Sequence, residues 1–143
     1  MPSFSKVCFF FEQKDFTLKN RTRLKVFIES IFRKENKKLE SLNYIFCSDK
    51  RLLEINRQYL RHNYFTDILT FDLSDQDSTR AEIYISIDRV RDNAKKLKLS
   101  FKSELHRVIF HGALHLCRYG DKTQKEIRKM RVMEDYYLQM YNH

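Results

Sequence analysis

The spacing of hydrophobic positions predicts four short strands in the first two thirds of the chain. Apolar, aromatic-rich runs at residues 6–12 and 42–47 are typical of buried strands, and residues 67–71 form a third run that favours a strand. Residues 82–87 alternate strictly, with isoleucine at every second position, so the fourth strand is half buried. A polar loop at 74–80 separates the last two strands, and we therefore expect them to pair antiparallel.

Apolar residues at helical spacing predict five amphipathic helices. These cover about residues 18–38, 49–60 and 88–97, then run from Ser100 to about Arg118, and finally follow Thr123. The last helix begins at a capping box, formed by Thr123 and Glu126. The order of elements predicts an α+β fold in one domain, residues 1–143, with a small mixed four-stranded sheet packed with about five helices.

Composition adds a basic surface and a cellular compartment to this picture. The chain has 28 Lys and Arg against 19 Asp and Glu, a net charge of +9, which favours polyanionic partners, although basic residues on helices are often only a solvated face. Cys8, Cys47 and Cys117 are widely spaced, which predicts no disulfide framework and fits a reducing compartment. The apolar run at 7–11 is too short for a signal peptide or a membrane span, so we predict a soluble, cytoplasmic protein without a membrane partner.

Residues 110–121 carry the clearest chemical pattern. His111 and His115 are four residues apart in a predicted helix, so their Cβ atoms lie roughly 6 Å apart on one face, close enough to share a metal ion. Asp121 follows, after Gly120, a residue that can end the helix. The pattern predicts a metal site on this helix, with one coordination position open for an activated water. The competing interpretation is a pair of ordinary core or surface histidines.

Gly112 favours the metal site over that competing interpretation. It removes a side chain at a point where the helix can press closely on the sheet. It also stands where the metalloprotease motif His-Glu-x-x-His carries its general base. A protease, or another metal hydrolase of peptides and small esters, is therefore disfavoured.

Three segments, in order, resemble a known family. Residues 111–116 match the first half of the motif H-G-x-L-H-L-x-G-Y-D-H, and residues 66–71 are similar to T-D-V-L-S-F. Residues 82–86 are similar to the strand motif G-D-I-x-I-S. All three motifs are found in the YbeY-type rRNA-maturation metallo-endoribonucleases, and the chain resembles that family from its middle to the end of the histidine motif.

The resemblance implies a ligand set for one zinc ion. His111 and His115 are its first two ligands. Asp121 occupies the third ligand position, which is histidine in the usual pattern. A carboxylate is an acceptable zinc ligand and broadens the choice to other divalent metals. Arg118 and Gly120 replace a glycine and an aspartate of the motif, so the turn after the helix departs from the family pattern.

The resemblance also implies catalytic residues. A family arginine upstream of the T-D segment falls here at Leu60, and the adjacent Arg61 is the candidate replacement, against an ordinary solvated loop arginine. Thr66 and Asp67 are expected in the wall of the site, with a strand-capping role as the alternative for Asp67. Glu104, on the helical face of the histidines, either orients a ligand histidine or forms a surface ion pair.

The function implied by the resemblance is a single-strand-specific, metal-dependent endoribonuclease. It acts in rRNA maturation, at the 3′ end of 16S rRNA, and in ribosome quality control, so the partners are single-stranded RNA, rRNA and the ribosome or its small subunit, without DNA. Tyr64 and Phe65 are candidates for stacking on bases, against a place in the core. The alternative function is a non-catalytic basic RNA- or ribosome-binding factor with a structural metal. The sequence does not predict an oligomeric state.

Overall fold

The computed structural model describes residues 5–62 and 66–143 and confirms the predicted order of elements. The elements are β1 (Val7–Phe11), α1 (Arg21–Lys34), β2 (Leu39–Cys47), α2 (Asp49–Leu60), β3 (Ile68–Asp72), β4 (Thr79–Ser86), α3 (Ile87–Leu97), α4 (Phe101–Leu116) and α5 (Gln124–Tyr141). In this part of the chain, the fold is the predicted α+β arrangement of a mixed four-stranded sheet and five helices. None of these helices is long and apolar enough to cross a membrane.

The strand order in the sheet is β1-β2-β4-β3. β1 pairs with β2 and β2 with β4 in parallel, whereas β3 and β4 form the predicted antiparallel hairpin. Asp75 holds the hairpin turn, because its Oδ1 accepts hydrogen bonds from the backbone N–H groups of Asp77 and Ser78. β4 therefore lies inside the sheet, and α4 packs against it.

The main hydrophobic core lies between one face of the sheet and helices α1, α4 and α5. Ile83 and Ile85 of β4 and Tyr44 of β2 are fully buried in this core. The hydroxyl of Tyr44 donates a hydrogen bond of 2.8 Å to the carbonyl oxygen of Ile109, so this buried polar group is satisfied. The same bond fixes the position of α4 relative to β2.

The other face of the sheet carries a smaller cluster. Leu52 and Ile55 of α2 are buried there with Cys47 and Leu69. Because the side chains of a strand alternate between the two faces, the sheet has a thick core on one side and a thin one on the other. His111 belongs to the thick side, since it lies on α4.

Two strands begin three residues earlier than the hydrophobic pattern predicted. β2 begins at Leu39 and β4 at Thr79, and both residues are buried. The backbone N–H of Thr79 donates to the carbonyl oxygen of Lys38. Glu40 and Arg80 follow these residues and form an ion pair of 3.0 Å across the strands. Because Glu40 and Arg80 are polar, the hydrophobic pattern does not extend to the starts of these strands.

Helix ends differ from prediction where residues adopt a positive φ. α1 spans Arg21–Lys34, a shorter range than predicted, because Asn20 and Asn36 have φ values of 56° and 62°. α4 ends at Leu116, and Arg118 after it has a φ of 76°. For a residue with a Cβ, this left-handed conformation costs about 1 kcal/mol. Arg118 stands where the motif of the resembling family has glycine.

The two glycines of the chain both allow a close approach. A Cβ on Gly112 would lie 2.8 Å from Cδ1 of Ile83, so the predicted tight contact between helix and sheet is present. The expectation that Gly120 ends the helix is wrong, because its φ is not positive. A Cβ on Gly120 would instead overlap the carboxylate of Glu126, which closes the predicted capping box with Thr123.

We expect Gly112→Ala to lower the free energy of unfolding by about 1 kcal/mol, because the overpacking against Ile83 outweighs the gain in helix propensity. In an Ile83→Val background, which lacks Cδ1, the same change should cost less, and the tightest remaining contact is the one of 3.1 Å with Cδ1 of Ile68. Urea unfolding followed by circular dichroism gives the coupling free energy of this double-mutant cycle. Ile85→Val is the control background, since Ile85 is equally buried but not among the atoms nearest to Gly112. If Gly112→Ala lowered the free energy of unfolding equally in the two backgrounds, the close approach of Gly112 to Ile83 would be contradicted.

We expect Arg118→Gly to raise the free energy of unfolding by about 1 kcal/mol, because glycine adopts the left-handed conformation without the Cβ penalty. Arg118→Ala also removes the guanidinium and its aliphatic stem, but it keeps the Cβ. We therefore expect it not to stabilise the protein. The midpoint of urea unfolding measures both variants. A gain for Arg118→Ala equal to that for Arg118→Gly would show that the charge, and not the backbone, is responsible.

Candidate active site

A cleft of about 340 Å³ opens where α4, α5 and the segment before β3 meet. Its polar lining consists of Thr66, Asp67, Glu104, Arg107, His111, Asp121, Arg131 and Glu134. Four of these side chains are carboxylates, and we call the cleft the acidic pocket. The close packing of α4 on the sheet and the tight turn into α5 bring the three segments together.

His111 lies in the acidic pocket with a carboxylate on each side of its ring. Its Nδ1 is 2.7 Å from Oε2 of Glu134, so this ring N–H donates to the buried carboxylate. Its Nε2 is 3.4 Å from Oδ2 of Asp121. A histidine whose one nitrogen donates to a buried carboxylate keeps a fixed orientation and leaves the other nitrogen for chemistry.

Glu134 is itself held by Arg107. The guanidinium Nη1 donates to Oε1 of Glu134 at 2.9 Å, and Nη2 donates to Oδ1 of Asp135 at 2.8 Å. The side chains of Arg107 and Glu134 are 15% and 6% exposed, so their charges are largely removed from water and depend on each other. Arg107, Glu134 and His111 thus form one chain of contacts between α4 and α5.

Burial and nearby charges together raise the pKa values of three groups in this pocket. Burial raises the pKa of Asp67 and of Glu104. Burial also acts to lower the pKa of His111, but the hydrogen bond and charge of Glu134, with the charge of Asp121, outweigh it and raise that pKa. Oε1 of Glu104 is buried without a hydrogen-bond partner among the described residues. Four carboxylates against two guanidinium groups favour a positively charged ligand here.

The structure brings four of the six predicted site residues into the acidic pocket. These are Thr66, Asp67, His111 and Asp121. The hydroxyl of Thr66 donates to the carbonyl oxygen of Ile68 at 3.3 Å, which fixes the turn that enters β3. Asp67 lines the pocket, and its carbonyl oxygen accepts the N–H of Ser86 on β4.

His115 and Arg61 lie elsewhere. His115 is on the predicted helix, but it is exposed and lines a neighbouring depression with Lys37, Lys38 and the β3–β4 loop. Arg61 is exposed at the end of α2 with a φ of 56°, and it is not among the described residues that line the acidic pocket. The roles assigned to these two residues stay predictions. The predicted stacking residues, 64 and 65, lie outside the described part of the chain.

Sequence reasoning missed Glu134 and Arg107. Glu134 falls in the apolar stripe of α5, between Met130 and Tyr137, and all three are buried. A carboxylate within a buried helical stripe is a signal in the sequence, because burying an unpaired charge is costly and such a residue therefore needs a cationic partner. Glu104 forms an ion pair of 3.9 Å with Arg107, as one of the two alternatives predicted, but the pair is buried and not at the surface. Glu134 takes the other predicted role, the orientation of His111.

A divalent cation fits the donor chemistry at the mouth of the acidic pocket. His111 Nε2 and Asp121 Oδ2 face each other there, and an imidazole nitrogen with a carboxylate oxygen is a donor pair that zinc and related ions bind. Within residues 5–62 and 66–143, no three His, Cys, Asp or Glu side chains are arranged to hold an ion. The structure therefore unites two of the three predicted ligands.

Known proteins resemble this chain over nearly its whole length. Residues 9–142 match the model of a protein family described as endoribonuclease YbeY. The endoribonuclease YbeY of Cytophaga hutchinsonii is 47% identical over 130 residues, which cover 90% of this chain and 91% of that protein. The endoribonuclease YbeY of Flavobacterium psychrophilum is 44% identical over 128 residues, with coverage of 90% and 91%.

A solved structure supports the same relationship. The solution structure of TM1509 from Thermotoga maritima matches with a TM-score of 0.67 and 29% sequence identity, covering 94% of this chain and 88% of that chain. The family match spans the sheet and all five helices described above, together with the acidic pocket. By its sequence and its fold, the chain belongs to the YbeY endoribonuclease family.

Proposed function

We propose that this protein is a single-strand-specific, metal-dependent endoribonuclease that matures the 3′ end of 16S rRNA and takes part in ribosome quality control. The observation that carries the proposal is His111, held between Glu134 and Asp121 in the acidic pocket of a YbeY family member. An oriented imidazole beside carboxylates is suited to hydrolysis of a phosphodiester when a metal is bound.

One zinc ion is the proposed cofactor, and other divalent metals are compatible with its donors. His111, His115 and Asp121 would hold the ion, because the two histidines are one helical turn apart on α4 and Asp121 already faces His111. The ion would lower the pKa of a bound water and polarise a phosphoryl oxygen. His115 is exposed, so its side chain is accessible for this role.

The protein's own side chains have separate tasks in this proposal. Glu134, fixed by Arg107, accepts the N–H of His111 Nδ1 and keeps Nε2 directed at Asp121. Asp67 faces the same pocket, and burial raises its pKa, a shift that suits a group exchanging protons with substrate or water. Thr66 supports the turn that presents Asp67.

The proposed partners are single-stranded RNA, rRNA and the small ribosomal subunit, and the proposed compartment is the cytoplasm, where these meet. The net charge of +9 supports a polyanionic partner. Exposed basic residues contribute to this charge on α5, with Lys125, Arg128 and Lys129, and just before that helix, with Lys122.

One observation favours a second candidate, a non-catalytic basic RNA- or ribosome-binding factor with a structural metal. His115 lines a different depression from His111, so the three proposed ligands are not assembled around one point in the described residues. A protein that binds RNA and retains a metal, but cannot cut, would have this alternative function. The first candidate function includes cleavage of RNA, and the second does not.

We expect the purified protein, loaded with Zn²⁺ or Mn²⁺, to cleave an internally labelled single-stranded RNA, and we expect chelation by EDTA to abolish cleavage. His111→Ala and His115→Ala should each lower the rate by about 100-fold or more, because each removes a ligand. His143→Ala, a change of the same kind at the terminal residue, is the matched control and should leave the rate unchanged. Cleavage is measured on denaturing gels and metal content by mass spectrometry.

Two results would overturn the catalytic proposal. The first is equal cleavage by the wild type and His115→Ala, which would point to a contaminating nuclease or to a site that does not use this residue. The second is a wild type that holds its metal and binds RNA without cutting it, which would favour the binding factor. A duplex RNA and a single-stranded DNA of the same sequence test the substrate class, and neither should be cut.

We expect Glu134→Leu to lower the free energy of unfolding by about 3 kcal/mol, because it leaves Arg107 and His111 largely buried without their carboxylate. Asp135→Leu is the matched control on the same helix. Its carboxylate also contacts Arg107, but it is 58% exposed, so the loss should be below about 1 kcal/mol. Urea unfolding measures both variants. Similar losses of stability would show that the buried Arg107–Glu134 contact contributes no more than the exposed Arg107–Asp135 contact.

A further inference from the structure

The acidic pocket creates an electrostatic difficulty for the substrate proposed above. Asp67, Glu104, Asp121 and Glu134 line it, and an RNA phosphodiester carries a negative charge of its own. Like charges repel more strongly in a partly buried cleft than in water, because the effective dielectric constant is lower. The proposed metal ion offsets part of this repulsion, and a cation in the wall of the pocket gives a phosphate a second group with which it can pair.

Arg107 is unable to serve as that cation. Its Nη1 and Nη2 donate to Glu134 and Asp135, and its Nε is buried 3.9 Å from Glu104. Turning the guanidinium towards a phosphate would break these contacts and leave the buried carboxylate of Glu134 without its partner. The guanidinium of Arg107 is therefore occupied by its contacts with Glu134 and Asp135.

Arg131 is placed differently. It lies on α5 three residues before Glu134, its side chain is exposed, and it lines the same pocket. Among residues 5–62 and 66–143, it makes no hydrogen bond and no ion pair, and its positive charge only partly opposes the rise that burial causes in the pKa of Glu104. A guanidinium with no partner in this part of the chain, at a cleft lined by carboxylates, is available to a ligand.

Ile127 strengthens the case for an RNA strand at this position. It lies one helical turn before Arg131 on α5, lines the same pocket, and is 49% exposed. The rim of the pocket thus offers a cation beside an apolar surface. A nucleotide matches this arrangement, because its negatively charged phosphate can pair with the cation while its ribose and base lie against the apolar surface.

We propose that Arg131 binds a backbone phosphate of single-stranded RNA at the mouth of the acidic pocket and so holds the strand against His111. The inference rests on the proposed function, because it names a substrate contact for that reaction. The guanidinium donates two parallel N–H groups to the phosphate oxygens, a geometry that lysine does not reproduce.

The test measures RNA binding separately from cleavage. Fluorescence anisotropy of a labelled single-stranded RNA is recorded in EDTA, where cutting does not occur. Arg131→Ala should weaken binding about tenfold or more, and the slope of log K against log salt should fall in magnitude by about 0.7, the value for one phosphate contact with a single strand. Arg131→Lys should lie between the wild type and Arg131→Ala.

Arg128→Ala is the matched control. Arg128 is an exposed arginine on the same helix, but it is not among the described residues that line the acidic pocket. Its removal changes the net charge equally and should weaken binding less than about twofold. Circular dichroism checks that both variants keep the fold, which the exposure of the two side chains leads us to expect.

The outcomes separate this inference from the proposed function. Equal losses for Arg131→Ala and Arg128→Ala overturn it, because the general positive field then accounts for binding. Unchanged binding and an unchanged KM for Arg131→Ala in an active enzyme also overturn it. A wild type that never cuts, but whose RNA binding depends on Arg131 and not on Arg128, supports the phosphate contact and overturns the endoribonuclease proposal alone.

Discussion

The contact between α4 and the sheet at Gly112 is the constraint on which the rest of the site depends. With hydrogen as its side chain, Gly112 lets the helix axis come down onto Ile83, and the Tyr44 hydroxyl bond to Ile109 holds the helix at the same depth. His111 is the neighbouring residue, so its height above the sheet follows from that contact. A more distant helix would carry His111 away from the segment that presents Asp67.

The return of the chain into α5 depends on a second close approach. Gly120 lets the Glu126 carboxylate turn back over the loop and close the capping box with Thr123, which fixes where α5 begins. From that start, α5 brings Glu134 into the acidic pocket about three turns later. Asp121 lies in the loop itself, so one compact turn sets both carboxylates around His111.

The sequence predicts the architecture well because its hydrophobic periods and caps are local properties. The hairpin, the capping box at Thr123 and the helix that carries His111 all follow from spacing, and the structure confirms them. Pairing between elements is not local. Glu134 was missed, since nothing near it in sequence reveals its partner Arg107. The motif also proposes Arg61 for a site whose lining in the structure contains Arg107 and Arg131 instead.

The local charge around His111 differs from the net charge of the protein, and this difference affects how a polyanion approaches. Four carboxylates line the acidic pocket around His111, which favours a cation there, whereas the chain as a whole carries a net charge of +9. The outer field attracts RNA over a long range but is screened and does not select a position. The interior repels a phosphate unless a positive group faces it. Selection of the reacting phosphate therefore falls to the few cations at the boundary between these regions.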